Sequence, residues 1–426
     1  MSHKQGVRFE LAPDPEQAVA IGRHCGLSRM VENFCLEIVG KTWAQRKAEE
    51  TYGLSGDELT KVPWTAPALE KHWRAAHPTR YPWFTENKMS SRVPKEACRM
   101  RAAGFANYLK SRKGQRRGAR MGFPSWRKRK HGGRFRYDAD RAHPLNRRTV
   151  RLPGIGTVAT REDMSWLTGR LADGSARILG ATIREHANRW WVSFQLEVDR
   201  ADINTRRQVP ADAPQCGIDL GLTTFAVITN SDGTTEEITA PRPLRAAQRA
   251  LRRANRKLAR CQRESKNREK ARTGVARLHL RVADRRRDFL HKTTTRLART
   301  KSAIAVETLN VKGMTANRRL SRAVADAGFG EFARLLEYKA AWYGSRVWKA
   351  DRWFPSSKTC GACRRIHRGL VLGDRTWECP GCGVVHDRDH NAARNLLTAM
   401  LTDLAADDAV LAGKFPGEMK RLAETA

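Results

Sequence analysis

The chain has 426 residues, with 81 Lys and Arg against 44 Asp and Glu, a formal charge of +37. That length suits two to four domains, and a charge of that size opposes compaction unless a polyanion is the partner. No apolar run is long enough to span a bilayer, and MSHKQGVRFELAPDP carries no signal peptide, so the expectation is a cytoplasmic protein without membrane association.

In chain order, VRFEL (7–11) alternates and predicts a strand. Asp14 then suits a helix N-cap, Pro15 the first helical position and Gln17 the far side of a capping box. Val19, Ile21, Met30, Val31, Phe34, Leu36 and Ile38 follow at helical spacing, so helices are expected from about 15 to 115, interrupted around Trp64, Trp73 and Trp83. The stretch FPSWRKRKHGGRFRY (123–137) interleaves aromatics with cations. Single-stranded nucleic acid favours that mix, because rings stack on bases while cations hold phosphates. The other reading is a solvated loop with a few anchoring aromatics. Trp126, Arg127, Lys128, Arg129 and Lys130 are the candidate contacts. Residues 148–200 look all-β: RTVRLPGIGTV, ARILGATIREH and NRWWVSFQLEVD are short or alternating runs broken by Gly and Pro. A small barrel or sandwich fits them, with VRFEL adding a strand. TRRQVPADAPQ (205–215) has the composition of a linker.

CGIDLG and TTFAVITN then predict two strands joined through Gly221. From about 242 to 300 the chain is basic and helical, with Leu244, Ala247, Leu251, Ala254, Leu258 and Cys261 recurring by three and four. RESKNREK (263–270) is a polar break, and Val275, Leu278, Val282, Phe289 and Leu290 predict a return helix. A coiled-coil dimer would use the same seam. An intramolecular antiparallel hairpin is favoured, because both halves carry seams with a break between them. Its outer face is dense in arginine, as a surface lying along a duplex would be; Arg252, Arg253 and Arg256 are the candidates. KSAIAVETLNVKGM (301–314) predicts an apolar strand ending at Glu307, and ARLLEYKAAWYGSRVWKAD (333–351) a helix and a short strand.

Nine cysteines without a secretion signal argue against a disulfide framework. Cys360, Cys363, Cys379 and Cys382 stand apart as C-x2-C-x15-C-x2-C. Four thiolates close a tetrahedral zinc shell and leave no open position, so a structural Zn²⁺ is expected. His367 and His386 lie nearby in a shell that is already full. The scattered cysteines read as small buried apolar residues.

Three acids stand at strand ends or just before a helix: Asp219 in GIDLG, Glu307 in AVETLN and Asp389 in DRDHNAARN. Each alone is usually a cap or an ion-pair partner. Converging on one sheet they would repel one another unless cations bound between them, and paired Mg²⁺ ions in such a site activate water on a phosphodiester. Ala392 and Ala393 would let the helix after Asp389 pack closely on that sheet. Asp387, two residues earlier, is the alternative ligand. A polybasic chain with this site is a nuclease or a strand-transfer enzyme.

GIDLG, the strand ending at Glu307 with LNVKGM after it, WFPSSKTCGAC and DRDHNAARNLL resemble the RuvC-type motifs and zinc ribbon of the TnpB family, transposon-encoded RNA-guided nucleases related to compact type V CRISPR effectors. The order also matches: first Asp, basic helical hairpin, Glu, zinc ribbon, last Asp. The likeness is dense from about 215 to 400, present at 5–40 and only architectural from 45 to 205. It implies a multidomain α+β fold. Its parts are a wedge-barrel strand at 1–14, a helical recognition insertion at 15–118, the wedge β-barrel at 119–205 and a linker at 206–215. A RuvC, RNase H-like nuclease domain follows at 216–355, then the zinc ribbon at 356–385, the end of the nuclease domain at 386–412 and a tail at 413–426. By motif position Asp219, Glu307 and Asp389 are the catalytic, Mg²⁺-binding carboxylates. The implied partners are guide RNA and target DNA with a short flanking motif, the chain favoured as a monomer acting at the bacterial nucleoid. A CRISPR effector with the same chemistry, a DNA-integrating transposase and a non-cleaving guide-dependent DNA binder are the alternatives.

Overall fold

The computed structural model describes residues 2–87, 89–129, 132–139, 141–199, 208–371 and 373–411. Two expected segments, the tail at 413–426 and the first two positions of the 206–215 linker, lie outside the described residues. The chain divides into two compact units, residues 1–200 and 201–426.

The first unit opens with β1 (Ser2–Ala12), longer than the pentapeptide that signals it, and α1 (Pro15–Thr51). The helix starts where its cap requires. The Asp14 carboxylate accepts from the Gln17 N–H at 2.8 Å, and the Gln17 side chain accepts from the Asp14 N–H at 3.2 Å. A 3₁₀ turn at Gly56–Glu58, α2 (Ala66–Arg80), α3 (Trp83–Glu86) and α4 (Arg92–Arg112) follow. Trp73 is buried between Phe34 and Tyr81, ring centroids 5.6 and 5.4 Å away, which fixes α2 against α1.

The rest of this unit is β2 (Arg134–Asp138), β3 (His143–Asn146), β4 (Thr149–Leu152), β5 (Gly156–Thr160), α5 (Ser165–Ala172), β6 (Ala176–His186) and β7 (Arg189–Asp199). The helix α5 corrects the all-β expectation for 148–200. Its Leu167 and the preceding Met164 are buried, but in eight residues the helical period is too short to stand out beside the alternating strands. All seven strands form one antiparallel sheet in the order β2-β6-β7-β1-β5-β4-β3. The N-terminal strand is thus interior, paired with β7 from Ser2–Asp199 to Leu11–Trp190. Val192, Phe194, Leu196 and Val198 of β7 are buried, as its alternation predicts.

The second unit is built on β8 (Cys216–Leu220), β9 (Thr224–Asn230), β10 (Thr235–Thr239), β11 (Ala303–Val306) and β12 (Arg346–Lys349). Their order is β10-β9-β8-β11-β12. The first three form an antiparallel meander, and β11 runs parallel to both β8 and β12. Between β10 and β11 stand α6 (Pro243–Arg260) and α7 (Lys266–Thr300), the expected helical hairpin. Its break is shorter than expected. Ser265, not the end of RESKNREK, is the N-cap, its hydroxyl accepting from the Arg268 N–H at 3.1 Å, so residues 266–270 are already helical. Then come α8 (Val311–Ala316), α9 (Ser321–Ala327) and α10 (Phe329–Tyr343). The last elements are the ribbon strands β13 (Thr376–Glu378) and β14 (Val385–Asp387), and α11 (Arg388–Leu411).

The two faces of the five-stranded sheet carry different cores. Cys216, Ile218, Phe225, Ile228, Ile304 and Val306 pack with Leu290, Phe329, Phe332 and Leu336 of α7 and α10. Ala303 and Ala305 point the other way, against Leu396, Leu397 and Met400 of α11. Among the described residues no helix is long and apolar enough to cross a membrane.

Candidate active site and metal centre

Strand parity brings two of the three acids together. In β11 and β8 the register runs Ile304–Cys216, Ala305–Gly217, Val306–Ile218, and one step further it sets Glu307 beside Asp219. The period of two gives Asp219 the face of Gly217, and Glu307 the face of Ala305. That face is covered by α11, whose first turn carries Asp389. Three small residues let the helix come close. A Cβ built on Gly217 would lie 2.0 Å from the Ala393 carbonyl oxygen, and Ala392 and Ala393 are fully buried.

The carboxylates feel one another. The Asp219 pKa stands well above the ordinary carboxylate range. Burial is the main cause, the charges of Glu307 and Asp389 add to it, and Asp219 shares a hydrogen bond with Glu307; Arg388 opposes the rise. The three do not form a single tight shell. Among the described residues only the four cysteines form a group of three or more such ligands lying within 4.8 Å of one another. Asp389 is drawn aside by a residue that sequence reasoning missed: Arg375, just before β13, donates from Nη1 to both its carboxylate oxygens at 3.2 and 3.0 Å. Arg375 stands inside the ribbon with no strand-end or spacing signal, so nothing in the sequence marked it. Asp387 has a different task. Its Oδ1 accepts from the N–H groups of Asp389 and His390 at 3.0 and 2.9 Å, which makes it the cap of α11.

Hydrogen bonds tie the site to the ribbon. The Ser356 hydroxyl donates to Glu307 Oε1 at 2.8 Å. The buried Asn395 of α11 donates from Nδ2 to the carbonyls of Ser356 and Thr359, at 2.8 and 2.7 Å. Asn391, also buried, donates to the Thr359 carbonyl at 2.7 Å and accepts from the Gly361 N–H at 2.9 Å. These asparagines stood in view in NAARN, but only their alanine neighbours suggested a role.

The four ribbon sulfurs lie together. Cys360 Sγ is 3.6 Å from Cys382 Sγ, and Cys363 Sγ is 3.6 Å from Cys379 Sγ. Those distances are too long for disulfides and match the edge of about 3.8 Å of a tetrahedron with Zn–S bonds near 2.3 Å. The N–H groups of Cys363 and Gly381 point at Cys360 and Cys379 sulfurs, at 3.5 and 3.4 Å, and the Gly381 bond lowers the Cys379 pKa to about 6. The group can hold a metal ion. Among the described residues the ribbon's buried apolar cluster is small: Cys360, Leu370, Trp377 and Cys379. His386 is not one of the four ligands but stands against them, Nε2 3.0 Å from Cys360 Sγ, and His367 lies against Trp377.

The basic candidates fare unevenly. Arg252, Arg253 and Arg256 are exposed on the outer face of α6. Trp126, Lys128 and Arg129 are exposed, whereas Arg127 is spent internally, pairing with buried Glu32 at 2.5 Å. Phe135 and Tyr137 of the same stretch are fully buried in β2, so they are core rather than stacking surface. Lys130 lies outside the described residues.

Three families match parts of the chain. Residues 193–318 match OrfB_IS605, described as "Probable transposase", and residues 329–396 match the "Cas12f1-like, TNB domain". Residues 1–48 match a "Helix-turn-helix domain", although the structure there is a strand and one continuous helix. A protein of Streptomyces pristinaespiralis named "Putative RNA-guided DNA endonuclease" is 34% identical over 409 residues, covering 96% of this chain and 92% of its own length. A Mycobacterium tuberculosis relative of the same description is 35% identical over 414 residues, 92% of this chain and 85% of its own. Another, from Escherichia coli, is 27% identical over 97% of this chain and 96% of its own. Among solved structures, the protein of a Cas12f1-sgRNA-target DNA complex matches with a TM-score of 0.51 at 10% identity, covering 93% of this chain and 98% of that one, a likeness of fold alone.

Proposed function

The chain belongs to the TnpB family of RNA-guided DNA endonucleases, and from that membership we propose that it binds a guide RNA and cuts the DNA the guide selects with Asp219, Glu307 and Asp389. The observation that carries the assignment of the site is the register that sets Glu307 beside Asp219 on the sheet face covered by the helix whose first turn bears Asp389. A strand order of β10-β9-β8-β11-β12, with the acids at the ends of adjacent parallel strands and on the covering helix, is what a RuvC-type, RNase H-like domain requires. The seven-stranded sheet of the first unit is then the wedge domain and α1 to α4 the recognition insertion, so the domain limits proposed are those of the sequence reading.

Two Mg²⁺ ions bound between the carboxylates would supply an activated water and stabilise the leaving oxygen of a phosphodiester. The protein's own part follows from its side chains. Asp219, whose pKa is held well above the ordinary carboxylate range by burial and by Glu307, would have to be ionised to hold a cation together with Glu307 and Asp389. Ser356 holds Glu307 in one rotamer. Arg375 turns its guanidinium from Asp389 to the phosphate, where its donors would meet the charge that develops there. The cysteine shell holds Zn²⁺ as a structural ion. Guide pairing reads the target sequence, while the exposed arginines of α6 and the cations beside Trp126 hold phosphates. The chain acts as a monomer at the bacterial nucleoid.

A strand-transfer enzyme has one specific point in its favour, the description of the family matched at 193–318. The relatives matched along nearly the whole chain are named as nucleases. The test is cleavage by protein purified with its co-expressed RNA, on a target beside a randomised flank. Mg²⁺-dependent cutting next to one flank is expected, with Asp219→Ala abolishing it while RNA binding persists. Strand-transfer products from transposon ends without RNA, or tight DNA occupancy with no nick in Mg²⁺, would refute the nuclease assignment.

A further inference from the structure

Trp353 is 79% exposed, the most exposed of the large apolar side chains described in the second unit. A tryptophan left in water forgoes the burial that usually fixes such a residue in place. Its backbone is nonetheless held. The Trp353 N–H donates to Asp351 Oδ1 at 2.8 Å, the Phe354 N–H to the Asp351 carbonyl at 3.1 Å, and the Ser356 N–H to the Phe354 carbonyl at 2.9 Å. Thr308, next to Glu307, anchors the start of the loop through the Ala350 carbonyl at 2.7 Å. Three residues on, Ser356 is bonded to Glu307. Chain geometry therefore keeps the Trp353 backbone within about 11 Å of that of Ser356, a span of at most about three nucleotides even if they stack as in a duplex, and fewer in an extended single strand. The Arg352 guanidinium stands over the ring, 5.0 Å from the centroid.

An indole presented to solvent on a bonded loop, with a cation beside it and a carboxylate site a few residues away, has the chemistry of a single-strand stacking platform. We propose that Trp353 is the binding site for one unpaired nucleobase of the strand being cut, with Arg352 on the adjoining phosphate, so that the base fixes which phosphate lies over Asp219, Glu307 and Asp389. This rests on the nuclease reading above and adds to it the register of the substrate. The site is indifferent to base identity, because every base offers a π face. It excludes paired bases, whose faces are already covered.

The test uses the full chain with its co-purified guide RNA, Mg²⁺ and fluorescent single-stranded oligonucleotides. Trp353→Ala is expected to raise KM by about 5- to 150-fold, the worth of one base stacked on an aromatic ring, with kcat changed far less. Trp353→Phe should recover most of that loss. A substrate abasic at one position within about three nucleotides of the cut should lose the same factor with wild-type protein and nothing further with Trp353→Ala, the signature of a shared contact. Wild-type KM in Trp353→Ala, or full abasic sensitivity retained by it, would overturn the proposal and leave the nuclease reading standing. If wild-type protein does not cut at all, the nuclease reading fails instead. Binding of a labelled oligonucleotide, measured by anisotropy in Trp353→Ala against wild type, then decides the stacking site alone: a weakened affinity supports it, an equal one overturns it.

Discussion

Replacing Gly217 by alanine tests the geometry on which the active site depends. Gly217 lies two residues before Asp219 and shares its face of the sheet. An added Cβ would stand 2.0 Å from the Ala393 carbonyl oxygen, 2.6 Å from the Leu397 nitrogen and 3.0 Å from the Leu397 Cβ, where ordinary contact begins near 3.4 Å. The first two are helix backbone, so no rotamer change relieves them, and α11 must move away by about 1 Å or more. Overpacking of this kind costs about 1–3 kcal/mol, a fall in Tm of about 2–12 °C for a unit of this size. Because Asp389 rides on the first turn of α11, the same shift opens the carboxylate site, and a displacement of about 1 Å costs catalysis on the order of 100-fold. The assay is a thermal melt together with Mg²⁺-dependent cleavage by the guide-loaded protein. Gly330→Ala is the control, since a Cβ there meets nothing within 4 Å and alanine favours the helix. A Gly217→Ala protein that melts and cuts like wild type would refute the close packing of α11 on β8.

Other expectations follow from the same contacts. Stripping the metal with a zinc chelator should unfold the ribbon, whose apolar cluster among the described residues is small, and abolish cutting until Zn²⁺, not Mg²⁺, is restored; retained cutting with metal-free protein would refute the structural assignment. Arg375→Ala should lower kcat by about 10²–10³, as loss of one positioned donor does, while the melt stays near wild type; an unchanged kcat would leave Arg375 only a surface ion-pair partner. Lys339 is buried with three neutral acceptors, the His291 carbonyl and the Thr294 and Thr295 hydroxyls, and burial pushes its pKa down to about 8. Between pH 8 and the unfolded value of 10.5 the unfolded chain binds the extra proton, so this group's contribution to stability rises with pH across that window. The difference in melting between wild type and Lys339→Met should therefore change through pH 8–10, and a constant difference would show that the ammonium is not desolvated.

What was legible rested on local signals. A strand that ends in one acid and paired C-x2-C turns in the second unit, like the capping box of α1 in the first, each need only a few neighbouring residues. What was not legible depends on contacts far apart in sequence. Arg375 meets Asp389 across 14 residues, and Asn395 meets Ser356 across 39. Arg127 looked like a phosphate contact until Glu32, 95 residues away and buried, proved to be its partner. The stretch around Phe135 and Tyr137 misled for a related reason. Alternation of aromatics with cations describes a nucleic-acid loop and a half-buried strand equally well, and only the sheet beneath β2 distinguishes them. In α5 the competing signal was length, since eight residues give barely two turns over which to see a period.

The ribbon's position in the chain can now be understood mechanically. Glu307 is bonded to Ser356, the Ser356 carbonyl to Asn395, and Asn395 and Asn391 both to Thr359, next to the first zinc-type cysteine. Asp389 stands on the same helix as the two asparagines. Two of the three acids are thus fixed through the turn that opens the ribbon, and the third, Asp219, through the close contact of Gly217 with that helix. So small an apolar cluster among the described residues gives such a frame little rigidity, which a tetrathiolate ion in the proposed site would supply. On the proposed reading, soft and hard ligands are neighbours in sequence because the fold of the one sets the spacing of the other. On this account Asn395→Asp, which keeps the shape of the side chain but removes its N–H donors, should leave zinc content intact while lowering cutting, with cleavage and metal stoichiometry measured on the same sample. Loss of zinc in parallel with activity would mean that the asparagine serves the ribbon's folding, and the frame between ribbon and active site would lose its support.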